Sequence, residues 1–127
     1  MLISRQAIER VGLLAECYFP LYMEDAEYSL RVRRAGLPVL YAPAAKAYHK
    51  VGATVGRADA SPMITRAQVR HRVLYVRRNF PFVQRVIALS YLAVTKPAKA
   101  ILEAISGRPK MGWAVLRGAF EGFAYRG

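Results

Sequence analysis

Three long segments of the chain carry apolar residues at helical spacing, with proline or glycine near their ends. Ser61 followed by Pro62 is typical of a helix start, and the pattern after it predicts a helix over 62–79. A second helix is predicted over 82–106 and a third over 110–125. The C-terminal half of the chain is therefore expected to be helical.

The N-terminal part of the chain mixes extended and helical patterns. Residues 1–4, 37–42 and 45–48 are short apolar or aromatic runs bounded by turn-forming residues, and each predicts a short strand. Residues 5–11 predict a helix that ends at Gly12. This region is expected to contain both strands and helices.

A further helix begins with two neighbouring carboxylates. Glu24 and Asp25 lie in its first turn, where unpaired N–H groups and the helix dipole favour negative charge, and Gly36 is expected to end it. At helical spacing Asp25 shares a side with Tyr28 and Val32, which we expect to face the interior or a cleft. Glu24 is then expected to point about 100° away. The spacing leaves two interpretations open: a carboxylate that stabilises its own helix, or a general base at the edge of a cleft.

Charge is distributed unevenly along the chain. The 127 residues carry a formal net charge of +12, and no acidic residue occurs between Ala60 and Leu102. A basic surface of this kind suits phosphate-rich partners such as anionic lipid, a nucleotide diphosphate or nucleic acid. The length suits one small domain, and the single cysteine, Cys17, leaves no internal disulfide.

The segment around the acidic pair resembles the family 2 glycosyltransferases, particularly their bacterial rhamnosyltransferase-like members. Residues 1–78 are similar to the C-terminal half of those enzymes, which carries a pattern like Y-F-x-x-Y-x-E-D-x-x-x-x-x-R. The matching residues are Tyr18, Phe19, Tyr22, Glu24, Asp25 and Arg31. The resemblance implies an α/β fold, namely a partial GT-A type, Rossmann-like half with short strands and a C-terminal helical tail. It also implies that Asp25, with Glu24 beside it, is the catalytic base of an inverting sugar transfer.

The resemblance also divides the chain and implies a metal. Residues 1–80 correspond to the acceptor-side half of the enzyme, and residues 81–127 form a helical tail that we expect to associate with a membrane. The family's D-x-D motif, which holds the metal (Mn²⁺ or Mg²⁺) and the sugar nucleotide, does not occur in this chain. We therefore expect a fragment that is inactive alone. His49 matches a family histidine that contacts the metal or diphosphate, although a lone histidine is more often structural.

Cationic residues of the helix predicted over 62–79 are candidates for binding substrate. The run from Arg70 to Arg78 is similar to a family string R-N-R-x-L-x-x-R-R, with His71 in place of asparagine. The predicted substrate- or diphosphate-binding residues are Arg31, Arg70, Arg72 and Tyr22. A guanidinium would stabilise the charge that develops on a leaving diphosphate. The alternative is a strip of arginines that only faces solvent or lipid.

The predicted partners are a nucleotide-sugar donor, a glycan or lipid-linked acceptor and an anionic membrane surface. We expect no nucleic-acid partner, because Trp113, Leu116, Phe120 and Phe123 follow one helix face and match no nucleic-acid-binding motif. The expected location is the cytoplasmic face of the cell membrane, as a peripheral protein. The alternative function is a non-catalytic basic module that binds a membrane surface, with nucleic acid as its weaker form.

Overall fold

The computed structural model describes residues 1–46, 48 and 61–126, and every regular element in that part of the chain is helical. The elements are α1 (Arg5–Val11), a 3₁₀ turn (Glu16–Tyr18), α2 (Glu24–Arg34), α3 (Pro62–Asn79), α4 (Phe82–Ile105) and α5 (Pro109–Ala124). The helices predicted over 5–11, 62–79, 82–106 and 110–125 are confirmed to within one residue at each end.

The predicted α/β class is wrong, since no described residue forms a strand. A strand is stable only where its backbone N–H and C=O groups pair with a neighbouring strand. Residues 1–4 and 37–42 have no such neighbour among the described residues, and most of their side chains are exposed. The strand predicted over 45–48 falls partly outside the described residues.

Helices α1 and α2 pack on each other around a small apolar cluster. Ala7 of α1 contacts Tyr28 and Val32 of α2 at its centre. Gly36, with φ of 76°, ends α2 in the left-handed conformation that glycine adopts without strain. The N–H of Leu37 then returns to the carbonyl of Val32 (3.1 Å), and the Leu37 side chain joins the same cluster.

Helices α3, α4 and α5 form a second, larger unit. Val69 of α3, Ala100 of α4 and Val115 of α5 meet in its core. Helix α5 approaches its neighbours closely because it presents glycine at the contacts: a Cβ on Gly112 would lie 2.5 Å from the carbonyl oxygen of Ala100, and Gly118 lies against the backbone of Arg66. The boundary predicted between residues 80 and 81 therefore falls between two helices of one packed unit.

Two hydrogen bonds join the C-terminal end of α3 to the smaller unit. Arg34 of α2 donates to the carbonyl of Asn79 (2.6 Å), and the Asn79 amide donates to the hydroxyl of Tyr18 (3.5 Å). The first bond joins the C-terminal end of α2 to α3, and the second places the loop before α2 next to α3. No helix in the described part of the chain is both long enough and apolar enough to cross a membrane.

Candidate functional site

The loop that enters α2 holds two non-glycine residues in a strained conformation. Tyr22 and Met23 have φ values of 71° and 76°, in the left-handed region that L-residues rarely occupy. Each such residue costs on the order of 1–3 kcal/mol, and such residues cluster at sites where a fixed geometry is needed. The strained pair comes directly before Glu24 and Asp25, so it sets the direction in which the acidic pair is presented.

An open cavity of about 540 Å³ lies beside this loop. Its wall consists of residues 14–16, 18–20 and Glu24. The volume is in the range of roughly 300–1,000 Å³ that is typical of small-molecule sites. One oxygen of Glu24, Oε2, is buried and has no hydrogen-bond partner within the described residues. A buried carboxylate oxygen without a partner is costly.

Asp25 lies on the other side of this first turn. Its side chain is exposed, and its Oδ1 accepts a hydrogen bond from the N–H of Ala26 (2.7 Å). The predicted orientation of the pair is therefore wrong, since Glu24 faces the cavity and Asp25 faces solvent. Glu27 is buried in an ion pair with Arg31. The buried side of α2 therefore includes Glu27, which lies one turn after Glu24 on the same side of the helix.

Arg31 joins the loop after α1 to α2. Its Nε donates to Oε1 of Glu27 (2.8 Å), and its two terminal nitrogens donate to the carbonyls of Leu13 (2.8 Å) and Val11. All three nitrogens of the Arg31 guanidinium therefore donate to acceptors within the protein. These bonds also hold the segment that leads into the cavity wall. A role of Arg31 in binding substrate stays a prediction.

Replacing Arg31 by lysine is expected to destabilise the protein by roughly 2 kcal/mol. An ammonium keeps the charge beside Glu27 but cannot reach all three acceptors of the guanidinium fork. Urea unfolding would measure the loss, with Arg33→Lys, an exposed position of the same helix, as the matched control. Equal stability of the two variants would show that the three internal bonds contribute nothing measurable.

His71 connects α3 to the strained loop. The imidazole is fully buried, its Nδ1–H donates to the carbonyl of Leu21 (2.5 Å), and its ring meets that of Tyr18 edge-on at 5.7 Å. In this tautomer Nε2 accepts from a terminal nitrogen of Arg70 (3.4 Å). In the sequence His71 is notable only as the residue that replaces asparagine in the arginine-rich run 70–78. Its hydrogen-bond partner, Leu21, is 50 residues away in the chain.

The stability of the protein is expected to fall on acidification because of His71. Burial, more than the neighbouring Arg70 charge, lowers the pKa of His71 from its ordinary value of 6.5. The unfolded chain therefore binds a proton more readily, so the free energy of unfolding decreases as the pH falls through about 6.5. Urea unfolding across this range should show the decrease, and His71→Asn should remove it.

The second histidine provides the control for that experiment. His49→Asn should keep the decrease in stability on acidification. If His49→Asn removed the decrease and His71→Asn kept it, the assignment to His71 would be wrong.

Tyr18 is a buried, protonated phenol beside the cavity. Burial raises the pKa of Tyr18 to about 12, with a smaller contribution from Cys17. The hydroxyl accepts from the amide of Asn79 and remains protonated at neutral pH. Tyr18 therefore shapes the cavity wall and is not a base for proton transfer there.

The remaining predicted site residues lie at different distances from the acidic pair. Tyr22 belongs to the strained loop itself. Arg70 borders the site through His71, and its guanidinium lies over the ring of Tyr125 at 5.5 Å. Arg72 is exposed and lies near lysines of α4 instead. His49 lies outside the described residues.

The described residues do not provide a metal site. No three His, Cys, Asp or Glu side chains within residues 1–46, 48 and 61–126 lie together so that they could hold a metal ion. The Mn²⁺ or Mg²⁺ implied by the resemblance stays a prediction, and its candidate ligand, His49, lies outside the described residues.

Comparison with known proteins adds no assignment. No family model matches the chain, and no curated protein or solved structure is significantly similar to it.

Proposed function

We propose that the chain provides the acceptor side of an inverting glycosyltransferase that moves a sugar from a nucleotide-sugar to a hydroxyl of a lipid-linked or cell-surface glycan. One observation carries the proposal: a strained loop places Glu24 in the wall of a cavity of about 540 Å³, and Asp25 is exposed next to it in the first turn of α2. The same residues form the acidic pair of the family 2 glycosyltransferase pattern.

The cavity has features that suit a sugar hydroxyl acceptor. Tyr18 and Phe19 contribute aromatic surface to its wall, and apolar ring faces pack well against the C–H face of a sugar. Glu24 supplies a carboxylate whose buried oxygen makes no hydrogen bond to the described residues. In the proposal Glu24 accepts hydrogen bonds from acceptor hydroxyls and orients them.

Asp25 acts as the general base in this proposal. Its carboxylate is exposed at the start of α2, where an acceptor hydroxyl can approach it from solvent. Asp25 removes the hydroxyl proton while the acceptor oxygen attacks the anomeric carbon of the donor. The bond from that carbon to the diphosphate oxygen breaks, the nucleoside diphosphate leaves, and the anomeric configuration inverts. In the proposal Arg70, whose guanidinium contacts His71, approaches the departing diphosphate.

The donor is held by residues other than those of this site. The 127 residues contain no D-x-D motif, and the described residues contain no cluster that fits a metal ion. In the proposal a separate nucleotide-binding segment holds the sugar nucleotide with Mn²⁺ or Mg²⁺. This chain contributes the base and the acceptor cavity.

A second candidate function is a non-catalytic module that binds a membrane surface. The net charge of +12 and the exposed apolar residues of α4 favour it. The two candidates differ in what Asp25 does: it is required for sugar transfer in the first and for nothing in the second.

Deletion of the gene in its source organism tests the proposal. The proposal predicts that one sugar is lost from the lipid-linked or cell-surface glycans, detected by mass spectrometry of the released chains. The wild-type gene should restore that sugar, and an Asp25→Asn allele expressed at the same level should not. Unchanged glycans in the deletion strain would contradict glycosyl transfer and leave the membrane module as the better account.

A further inference from the structure

Helix α4 turns a wide uncharged face outward. At 100° per residue the apolar residues of this face fall within an arc of about 140° along a helix of about 36 Å. Their side chains are 48–71% exposed: Val83, Val86, Ile87, Tyr91, Val94 and Ile101. A helix on a water-exposed surface normally has the opposite arrangement, with its apolar stripe against the core.

The charged residues of α4 lie on the opposite side of the helix. Arg85, Lys96, Lys99 and Glu103 fall within an arc of about 60°, and all but Lys99 are partly buried against the protein. The side of α4 that packs on the protein therefore carries charged residues around the buried Leu92, whereas the outward face carries apolar residues and no charge. A second apolar face that is turned away from the core indicates an apolar environment outside the protein.

Two further cations lie near Lys96 on the charged side of α4. They are Arg72 of α3 and Lys99 of α4, and burial together with these two neighbouring charges lowers the pKa of Lys96. Glu103, on the same side of α4, is paired with Arg108. An apolar face with a cationic side behind it is the arrangement expected of a helix that lies in the surface of an anionic membrane.

We propose that the outward face of α4 docks on an anionic membrane. The helix lies along the bilayer surface with its apolar face at the level of the acyl chains, and its cationic side is attracted to the negative charge of the lipid phosphates. On α5, Trp113 and Phe120 are also exposed and provide aromatic side chains that suit the membrane–water interface. This inference is independent of the glycosyl transfer proposed above.

Charge favours a bilayer over a second copy of the chain as the occupant of this face. Two copies that paired through α4 would bring together two molecules that each carry a net charge of +12. An anionic bilayer supplies the opposite charge, and its acyl chains cover the apolar residues at the same time.

Vesicle co-sedimentation of the full chain tests the inference. Binding to phosphatidylcholine vesicles that contain phosphatidylglycerol is expected to exceed binding to pure phosphatidylcholine and to weaken as salt is raised. Ile87→Asp combined with Val94→Asp places two carboxylates in the centre of the face and should weaken binding to the anionic vesicles by at least about tenfold.

A matched double variant separates the effect of changing the α4 face from the effect of adding two negative charges to the protein. Leu2→Asp combined with Leu40→Asp introduces the same two charges at apolar side chains that are 98% and 83% exposed and lie away from α4. This control should weaken binding by less than about threefold. Equal loss in the two double variants would overturn the docking of α4. If the Asp pair on α4 disturbed folding, as judged by circular dichroism, Ile87→Ser combined with Val94→Ser would make the same comparison against Leu2→Ser combined with Leu40→Ser.

Two further outcomes would overturn the inference. Equal binding of the wild-type chain to charged and neutral vesicles would show that the positive charge of the protein does not contribute to docking. A dimer in sedimentation velocity without lipid, lost in the α4 double variant, would assign the face to a second copy of the chain.

Discussion

Replacing Asp25 by asparagine is expected to lower the rate of sugar transfer by about 10²- to 10⁴-fold at saturating donor, the range typical for loss of a general base. Asparagine keeps the shape of the side chain and its carbonyl can still accept the hydrogen bond from the N–H of Ala26 (2.7 Å in the wild type), but it cannot take up the acceptor proton. Asp25 is exposed, so the thermal midpoint should change little. The measurement is incorporation of labelled sugar by membranes that contain either protein.

Glu24→Gln is the matched comparison, because it changes the neighbouring carboxylate in the same way. Glu24 lies in the cavity wall, so its loss should mainly raise the KM for the acceptor and leave the rate at saturating acceptor within about tenfold of the wild type. If Glu24→Gln abolished transfer while Asp25→Asn retained it, the roles of the two carboxylates would have to be exchanged.

Gly118→Leu is expected to destabilise the larger helical unit strongly. A Cβ at this position would meet the backbone of Arg66, with the Cα of Arg66 at 3.1 Å, and neighbouring backbone cannot move aside as a flexible side chain can. Overpacking at such a contact costs about 3 kcal/mol, which corresponds to a fall of roughly 10 °C in the melting temperature. Thermal unfolding followed by circular dichroism measures it.

Ala124→Leu provides the control for that substitution, because Ala124 is an exposed residue of the same helix. Its melting temperature should stay within about 2 °C of the wild type. If the two leucine variants melted together, the close approach of α5 to α3 would not be a determinant of stability.

Local signals were sufficient to predict the helices. Ser4 accepts a hydrogen bond from the N–H of Ala7 at the start of α1, Pro62 begins α3, and Gly36 ends α2 with positive φ, as their residue types indicate. These features depend on neighbours within four or five residues in the chain. They can therefore be recognised in the sequence without knowledge of the tertiary contacts.

The strands were predicted incorrectly because strand formation depends on a partner elsewhere in the chain. Residues 37–42 are as apolar as many edge strands, but no described segment pairs with them. The resemblance to an α/β family added a sheet that the described residues do not form. Apolar composition alone does not separate a strand from an irregular connection.

The orientation of the acidic pair and the role of His71 could not be predicted for related reasons. The helical pattern assigns charged residues to solvent, yet Glu27 is buried because Arg31 neutralises it. His71 reaches the strained loop across 50 residues of sequence. Both features depend on specific tertiary partners, and spacing along one helix does not identify those partners.

The hydrophobic pattern also could not predict that the apolar face of α4 is exposed. The pattern predicted the helix, but apolar residues are ordinarily assigned to the core. In α5 the buried side is instead formed largely by small residues such as Gly112, Gly118 and Ala119. Close packing of small residues leaves larger apolar side chains of α4 and α5 outside, where Val94 and Phe120 are 71% and 72% exposed.

The central claim is that this chain takes part in moving a sugar from a nucleotide to a hydroxyl. The most direct measurement uses membranes of the deletion strain, supplied in turn with labelled UDP-, GDP- and dTDP-sugars, without the chain and after expression of the wild-type chain. The account predicts that incorporation from one donor is lost in the deletion strain, returns with the wild-type chain and does not return with Asp25→Asn. Equal incorporation from every donor with and without the chain would contradict it.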